Sequence, residues 1–147
     1  MASERSSIVY RIPARALRRR RLLEFARQLQ AEVAAGQPFC CVVTDDDEMR
    51  RLNRQFRRKD STTDVLSFPA ASEEALGELA ISFDRARAQA THFGHSTEEE
   101  VRVLMLHGVL HLTGMDHERD NGEMHRAEQR WRRRLRLPDG LIGRSSR

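Results

Sequence analysis

Three histidines, His107, His111 and His117, accompany a long apolar segment in the last third of the chain. The segment covers residues 101–112 and is rich in valine, leucine and methionine, which is the composition of a buried helix. Helical residues four apart lie about 40° from each other around the axis, so His107 and His111 face the same point. Gly114 then permits a tight reversal, which brings His117 back toward the first two histidines.

This spacing predicts a metal centre. Three neutral imidazoles from one short segment fill three corners of a zinc tetrahedron and leave the fourth open for water or substrate. We therefore expect one Zn²⁺ per chain, bound by His107, His111 and His117, although imidazole ligands also suit nickel. The alternative is a buried helix with two hydrogen-bonded core histidines and a third histidine on the surface.

The same spacing occurs in zinc peptidases with the pattern H-E-x-x-H-x-x-G-x-x-H. Those enzymes use the glutamate after the first histidine to activate water, and this chain has Gly108 at that position. A glycine cannot accept a proton. The sequence therefore predicts a metal site without the catalytic base of a peptidase.

Charge and composition narrow the class of protein. The chain has 147 residues, 26 Lys plus Arg against 22 Asp plus Glu, and a net charge of +4. Lys59 is its one lysine, and arginine forms planar forks that suit phosphate, so a polyanionic partner such as nucleic acid is permitted. An arginine preference inherited from a GC-rich genome is the other explanation.

No apolar run is long enough for a membrane span, and the first residues lack a secretory signal, so we expect a cytoplasmic protein.

Apolar periodicity and turn residues predict one mixed four-stranded sheet packed with about five helices, an α+β fold. The predicted strands cover residues 8–12, 39–44, 63–69 and 77–82. Predicted helices begin at Pro13, after Asp45, at Phe83, after Ser96 and at the 120–123 segment, and the last two carry capping-box residues. We expect a flexible N-terminus at 1–7, one domain at 8–137 and a flexible tail at 138–147.

Three blocks resemble the YbeY family of bacterial endoribonucleases that mature ribosomal RNA. The first is the histidine segment, from His107 through Gly114 to Asp116 and His117. The second is Phe56-Arg57-x-Lys59-Asp60 together with Thr63-Asp64-Val65-Leu66-Ser67-Phe68-Pro69, and the third is Leu76-Gly77-Glu78-Leu79-x-Ile81. The third block has Glu78 where the family has aspartate. The resemblance covers about residues 8–137.

The resemblance implies a zincin-like α+β fold and zinc bound by the three histidines. It also implies that Arg57 is the basic residue of the active-site groove, so Arg57 and His111 are the predicted catalytic residues. Arg58 and Lys59 are further candidates for binding nucleic acid, and Arg58 competes with Arg57 for the inward position. Family members act on the 3′ end of small-subunit ribosomal RNA and in ribosome quality control, so the implied partners are ribosomal RNA and the ribosome or its proteins.

Two carboxylates are candidates for supporting roles. Asp116 lies between two ligands and can orient a histidine, or it is a turn residue that bonds its own backbone. Asp64 is a weaker candidate for proton transfer. The sequence assigns no general base, because a metal-activated water or the RNA's own 2′-hydroxyl can be the nucleophile.

Three functions are compatible with these residues. The first is a zinc-dependent endoribonuclease specific for single strands. The second is a ribosome-assembly factor that binds RNA or ribosomal proteins and whose zinc is mainly structural. The third is a metallohydrolase of peptides or small molecules, which Gly108 disfavours in its peptidase form. The sequence leaves the oligomeric state open.

Overall fold

The computed structural model describes residues 5–138 and contains four strands and five helices, as the sequence predicts. In chain order these are β1 (Ser7–Tyr10), α1 (Arg19–Glu32), β2 (Phe39–Thr44), α2 (Asp46–Arg57), β3 (Val65–Pro69), β4 (Gly77–Ser82), α3 (Phe83–Phe93), α4 (Thr97–Leu112) and α5 (Glu123–Leu135). Strands β2 and β4 and helix α3 have the predicted bounds. The expectation of an α+β fold is therefore confirmed.

The four strands form one mixed sheet in the order β1-β2-β4-β3. Strand β2 is parallel to both β1 and β4, whereas β3 is antiparallel to β4 and closes the sheet at one edge. Helix α3 begins at the residue after β4, and the Ser82 hydroxyl caps it by accepting from the Arg85 amide. The antiparallel edge strand β3 becomes one wall of the functional site.

Helix α4 lies at the centre of the main core. It contacts α1, α3, α5, β3 and β4, and most of its residues are buried on every side. A capping box at Ser96 and Glu99 starts the helix, as predicted, because each residue's side chain accepts from the other's backbone amide. The opposite face of the sheet holds a smaller core of Met49, Leu66 and Ala80 under α2.

The predicted start of the first helix at Pro13 is wrong, since α1 begins at Arg19. Ala14 and Leu17 are buried in the core, and the Leu17 amide bonds the Ala14 carbonyl in a separate turn. The Arg18 amide bonds the distant carboxylate of Glu98. These tertiary contacts hold residues 13–18 outside the helix, so the position of the proline is not the helix start.

The predicted capping box at residues 120–123 is also wrong. Gly122 occupies the position before α5 with φ 94°, and it makes no side-chain cap. Instead, the Asp120 carboxylate accepts from the amides of Gly122 and Met124, and these bonds lower the pKa of Asp120. The Glu123 carboxylate accepts from the Asn121 amide, so the two acidic side chains bond amides next to those that the capping box was expected to pair.

The two ends of the fold differ slightly from the expected boundaries. Ser6 is buried, its amide and hydroxyl donate to Gln30, and Ser7 begins β1, so these two residues of the predicted N-terminal segment pack with the fold. Leu137 is buried at the other end. The remainder of the predicted tail, residues 139–147, lies outside the described residues.

No helix within residues 5–138 is long and apolar enough to cross a membrane.

Candidate metal centre

The three predicted ligands converge. Each of His107, His111 and His117 offers a ring nitrogen, and these nitrogens all lie within 4.8 Å of one another. The ring centroids of the two helical histidines are 4.8 Å apart, and each is 5.8 Å from the ring of His117. The structure therefore brings together the residues that the spacing predicted.

The chain reversal after α4 carries the third histidine into place. Gly114 has φ 104°, a left-handed conformation that favours glycine, and its amide bonds the His111 carbonyl. The next turn is closed by the Asp116 carbonyl, which accepts from the amides of Arg119 and Asp120. The loop that holds His117 is thus fixed by backbone hydrogen bonds on both sides of the histidine.

The chemistry of the three rings suits a metal ion. Burial, and then the neighbouring His107 and His117, lower the pKa of His111, so this imidazole is neutral near pH 7 as a metal ligand must be. The Nδ1 atom of His117 is buried without a hydrogen-bond partner in residues 5–138. An unpartnered polar atom beside two converging imidazoles is the arrangement that a bound cation would complete.

A carboxylate outside the predicted set binds one ligand. Glu128 of α5 is buried, and its Oε2 lies 2.7 Å from Nδ1 of His107. The sequence analysis missed this residue. The signal was present, because Glu128 shares the apolar face of α5 with Met124 and Ala127.

The centre opens into a cleft of about 600 Å³. One wall is α4 and the loop after it, and the other is the segment from the end of α2 to β3. Of the other predicted site residues, the structure places Arg57, Lys59, Asp64 and Asp116 on the cleft and leaves Arg58 off it. The polar lining also includes Asn53, Ser61, Thr62, Thr63 and Ser67.

The cap of α2 separates the two neighbouring arginines. Arg58 takes the left-handed conformation at the end of the helix, with φ 57°, whereas Arg57 is the last helical residue and lines the cleft. Asp60 pairs with Arg50 and Arg54. Within residues 5–138, the side chains of Arg57 and Lys59 have no carboxylate partner, so both cations are available to a ligand in the cleft.

The two carboxylates predicted to support the site make other contacts. Asp116 Oδ1 accepts from the Glu118 amide and Oδ2 lies 3.6 Å from Arg119 Nε, as expected of a turn residue. It is Glu128 that contacts a predicted ligand, His107. Asp64 accepts from Gln89 at 3.2 Å and from the Thr63 hydroxyl at 3.5 Å.

Gly108 lies against the sheet. A Cβ atom at this position would stand 2.6 Å from Cδ2 of Leu79 in β4, and the Gly108 carbonyl accepts from the Ser67 hydroxyl at 3.2 Å. The glycine therefore allows α4 to approach β4 closely. The site lacks the glutamate of zinc peptidases, and the packing leaves no space for one.

The chain is similar to known proteins along most of its length. The family model described as Endoribonuclease YbeY matches residues 12–136. The chain is 57% identical over 141 residues to Endoribonuclease YbeY of Solibacter usitatus, covering 96% of this chain and 95% of that protein. It is 56% identical over 106 residues to the protein of the same name from Koribacter versatilis, covering 72% and 70% of the two chains. The solution structure of TM1509 from Thermotoga maritima superposes with a TM-score of 0.61 at 26% identity, covering 89% and 91%.

Proposed function

The chain belongs to the YbeY family of endoribonucleases, and from that premise we propose that it is a zinc-dependent enzyme that cleaves single-stranded ribosomal RNA. It acts in the maturation of the 3′ end of small-subunit ribosomal RNA and in ribosome quality control. Residues 8–137 are the proposed catalytic domain, extended by Ser6 and Ser7 at the ordered end. Ribosomal RNA is the substrate, and the ribosome or its proteins supply the context.

One observation carries the proposal, namely that three imidazoles and two unpaired cations share a single cleft. Phosphodiester cleavage requires positive charge where negative charge develops on the phosphate, and a group that activates an oxygen nucleophile. A zinc ion held by His107, His111 and His117 would supply Lewis acidity toward a phosphoryl oxygen. The protein's own side chains supply the remaining requirements.

Arg57 and Lys59 are the phosphate-binding residues of this mechanism. The guanidinium of Arg57 presents parallel N–H donors that match two phosphate oxygens, and Lys59 adds a point charge on the same wall. The Ser61 hydroxyl offers a donor and an acceptor to the ribose. The hydroxyls of Thr62 and Thr63 donate to Asp46 and Asp64, so their oxygens are offered as acceptors. RNA is therefore bound mainly through its backbone.

The packing at Gly108 and the residues that line the cleft favour RNA over a peptide substrate. Gly108 cannot accept a proton, and a glutamate at that position would collide with Leu79. Asp64 lines the cleft and is the remaining carboxylate on the wall opposite the histidines, so we assign it the proton-transfer role if a side chain performs one. Asp116 belongs to the turn that holds His117.

The test compares cleavage of a single-stranded RNA by wild type, His111→Ala, Arg57→Ala and Arg58→Gly, with the metal content of each protein measured. We expect His111→Ala to lose both metal and cleavage. Arg57→Ala should retain one zinc and lose roughly 10²-fold or more in rate, as expected for removal of one group that stabilises developing charge. Arg58→Gly is the matched control and should cleave like wild type, because Arg58 lies off the cleft.

A duplex of the same sequence serves as the second substrate and should be resistant. Equal residual cleavage by all four proteins would mean a contaminating nuclease. That result would favour a role as an assembly factor that binds RNA with a mainly structural zinc. A zinc-free wild type that cleaves at the full rate would contradict the proposed cofactor.

A further inference from the structure

Glu128 is an acidic residue on the apolar face of a helix. Its side chain is 2% exposed, and its neighbours on the inner face of α5 include Met124 and Ala127. Moving a carboxylate out of water is costly unless a hydrogen-bonded partner compensates for the lost hydration. An apolar residue would fill this position at lower cost, so the contacts of the carboxylate must account for its presence.

The partner of Glu128 is a ligand of the metal centre. Glu128 Oε2 and His107 Nδ1 are 2.7 Å apart, and His107 is itself buried. An ionised carboxylate only accepts hydrogen bonds, so Nδ1 is assigned as the donor and carries the ring proton. The other nitrogen of this imidazole, Nε2, is then unprotonated and is the atom left for the shared centre.

We propose that Glu128 is a positioning residue, which fixes the tautomer and ring orientation of His107 so that Nε2 is ready to bind the metal ion. This inference rests on the proposed metal site. It assigns to α5, which contributes no ligand, a part in building that site. Asp116 does not perform this task, since its carboxylate is bonded to the Glu118 amide.

The geometry explains why a carboxylate 21 residues from its partner is needed. His107 is buried on a helix whose backbone carbonyls are used along its own length, so α4 offers no acceptor for Nδ1. Helix α5 packs on α4 and supplies the acceptor from outside. A metal-ligating histidine whose second nitrogen is held this way retains its metal better by roughly 10–100-fold.

A second buried glutamate and histidine provide a matched control. Glu100 of α4 is fully buried, and its Oε1 lies 2.6 Å from Nε2 of His95. This pair has the same chemistry as Glu128 and His107, but neither member is a predicted ligand. A substitution of Glu100 therefore reports what is lost when a buried Glu–His pair is broken without any effect on the metal centre.

The experiment uses full-length protein in four forms: wild type, Glu128→Leu, Glu128→Gln and Glu100→Leu. Each protein is stripped of metal, and its zinc dissociation constant is measured by competition with a chromophoric chelator. The ring ¹⁵N shifts of His107 in the metal-free protein report its tautomer, and thermal unfolding reports stability. The tautomer is a readout that simple packing by Glu128 would not change.

We expect Glu128→Leu to weaken zinc binding by about 10–100-fold and to release the His107 proton from Nδ1. Glu128→Gln should retain the tautomer and most of the affinity, because its amide oxygen still accepts from Nδ1. Glu100→Leu should change thermal stability and leave zinc affinity and the His107 tautomer as in wild type. If Glu128→Leu fails to fold, the glutamine variant and the wild-type ring shifts still decide the tautomer.

Two results would overturn the inference. One is a Glu128→Leu protein with wild-type zinc affinity, and the other is wild-type protein whose metal-free His107 carries its proton on Nε2. A wild type that does not bind zinc at all would instead contradict the proposed function. In that case the ring shifts of the metal-free protein still test whether Glu128 sets the tautomer.

Discussion

Gly108 shows how a single residue constrains both the fold and the chemistry of the site. Its missing side chain lets α4 approach β4 until a Cβ atom would stand 2.6 Å from Leu79 Cδ2. Leu79 is fully buried in the main core, so a shift of its side chain would disturb its close-packed neighbours. Packing therefore favours glycine at the position after His107.

Gly108→Ala should destabilise the metal-free protein by about 1 kcal/mol. Overpacking of a tight core costs about 1–3 kcal/mol, and the better helix propensity of alanine returns about 1 kcal/mol. Urea unfolding measures the difference. The double variant Gly108→Ala/Leu79→Ala is the control, since removing the leucine removes the clash. If the losses of unfolding free energy in the two single variants simply add in the double variant, this explanation is contradicted.

The residues of the candidate site differ in how far the sequence alone could predict them. The histidine spacing predicted that the three histidines converge, because all three lie within one helix and the turn after it. The choice between Arg57 and Arg58 depended on where α2 ends and which residue takes the left-handed cap. Glu128 was missed because its role appears only when α5 packs on α4, 21 residues from His107 in sequence.

At the scale of elements, α1 begins with a cap supplied by another helix. Arg18 precedes α1 and makes no side-chain cap of its own. Glu98 of α4 accepts from the Arg18 amide and guanidinium, and also from Arg102. Burial raises the pKa of the Glu98 carboxyl, but the hydrogen bonds from Arg18 and Arg102 outweigh it and leave the pKa below its usual value.

Because Glu98 contacts Arg18 and Arg102 in this way, we expect the free energy of unfolding to fall in acid. A carboxyl with a lowered folded-state pKa stabilises the protein above its unfolded pKa of about 4.5, and that stability is lost as pH falls through the folded value. The free energy of unfolding should therefore decline below about pH 5, and Glu98→Gln should flatten the decline while lowering stability at pH 7. Urea titrations over a pH series measure both. Glu24→Gln, at an exposed position of α1, is the control; equal slopes for wild type and Glu98→Gln would rule this contact out.

The elements that sequence reasoning located well are those specified by their own residues. Strand β2 is an apolar, β-branched run that follows Pro38, and β4 begins at Gly77. Helix α3 starts after a serine cap and ends at Gly94. The start of α1 depends instead on Glu98, 80 residues away. A local pattern cannot contain that contact, so the helix was expected to begin at Pro13.

For the whole molecule, metal binding at the proposed centre would be linked to folding. The site combines ligands from α4 and the loop after it with a wall built by residues 53–67, and it exists only in the folded chain. At a free zinc concentration 100 times the dissociation constant, a ligand that binds only the folded state adds about 2.7 kcal/mol of stability. For a chain of this size that corresponds to a rise in Tm of roughly 5–10 °C.

Thermal unfolding with and without zinc measures this rise. His111→Ala should unfold at the same temperature in both conditions, because two imidazoles hold zinc weakly. Arg57→Ala should show the full rise, since Arg57 contributes to the cleft and not to the ligands. A wild-type Tm that zinc does not change would contradict the proposed site.

The burial of α4 on every side has a consequence for how variants behave in cells. Because the helix that carries His107 and His111 is also the centre of the core, most substitutions along it reduce the amount of folded protein as well as its activity. Substitutions on the opposite wall, at Arg57 and Lys59, leave the core intact. We therefore expect substitutions at Arg57 and Lys59 to give an inactive protein at normal abundance. A genetic screen that scores only loss of function will instead find α4 through both lost activity and lost folded protein.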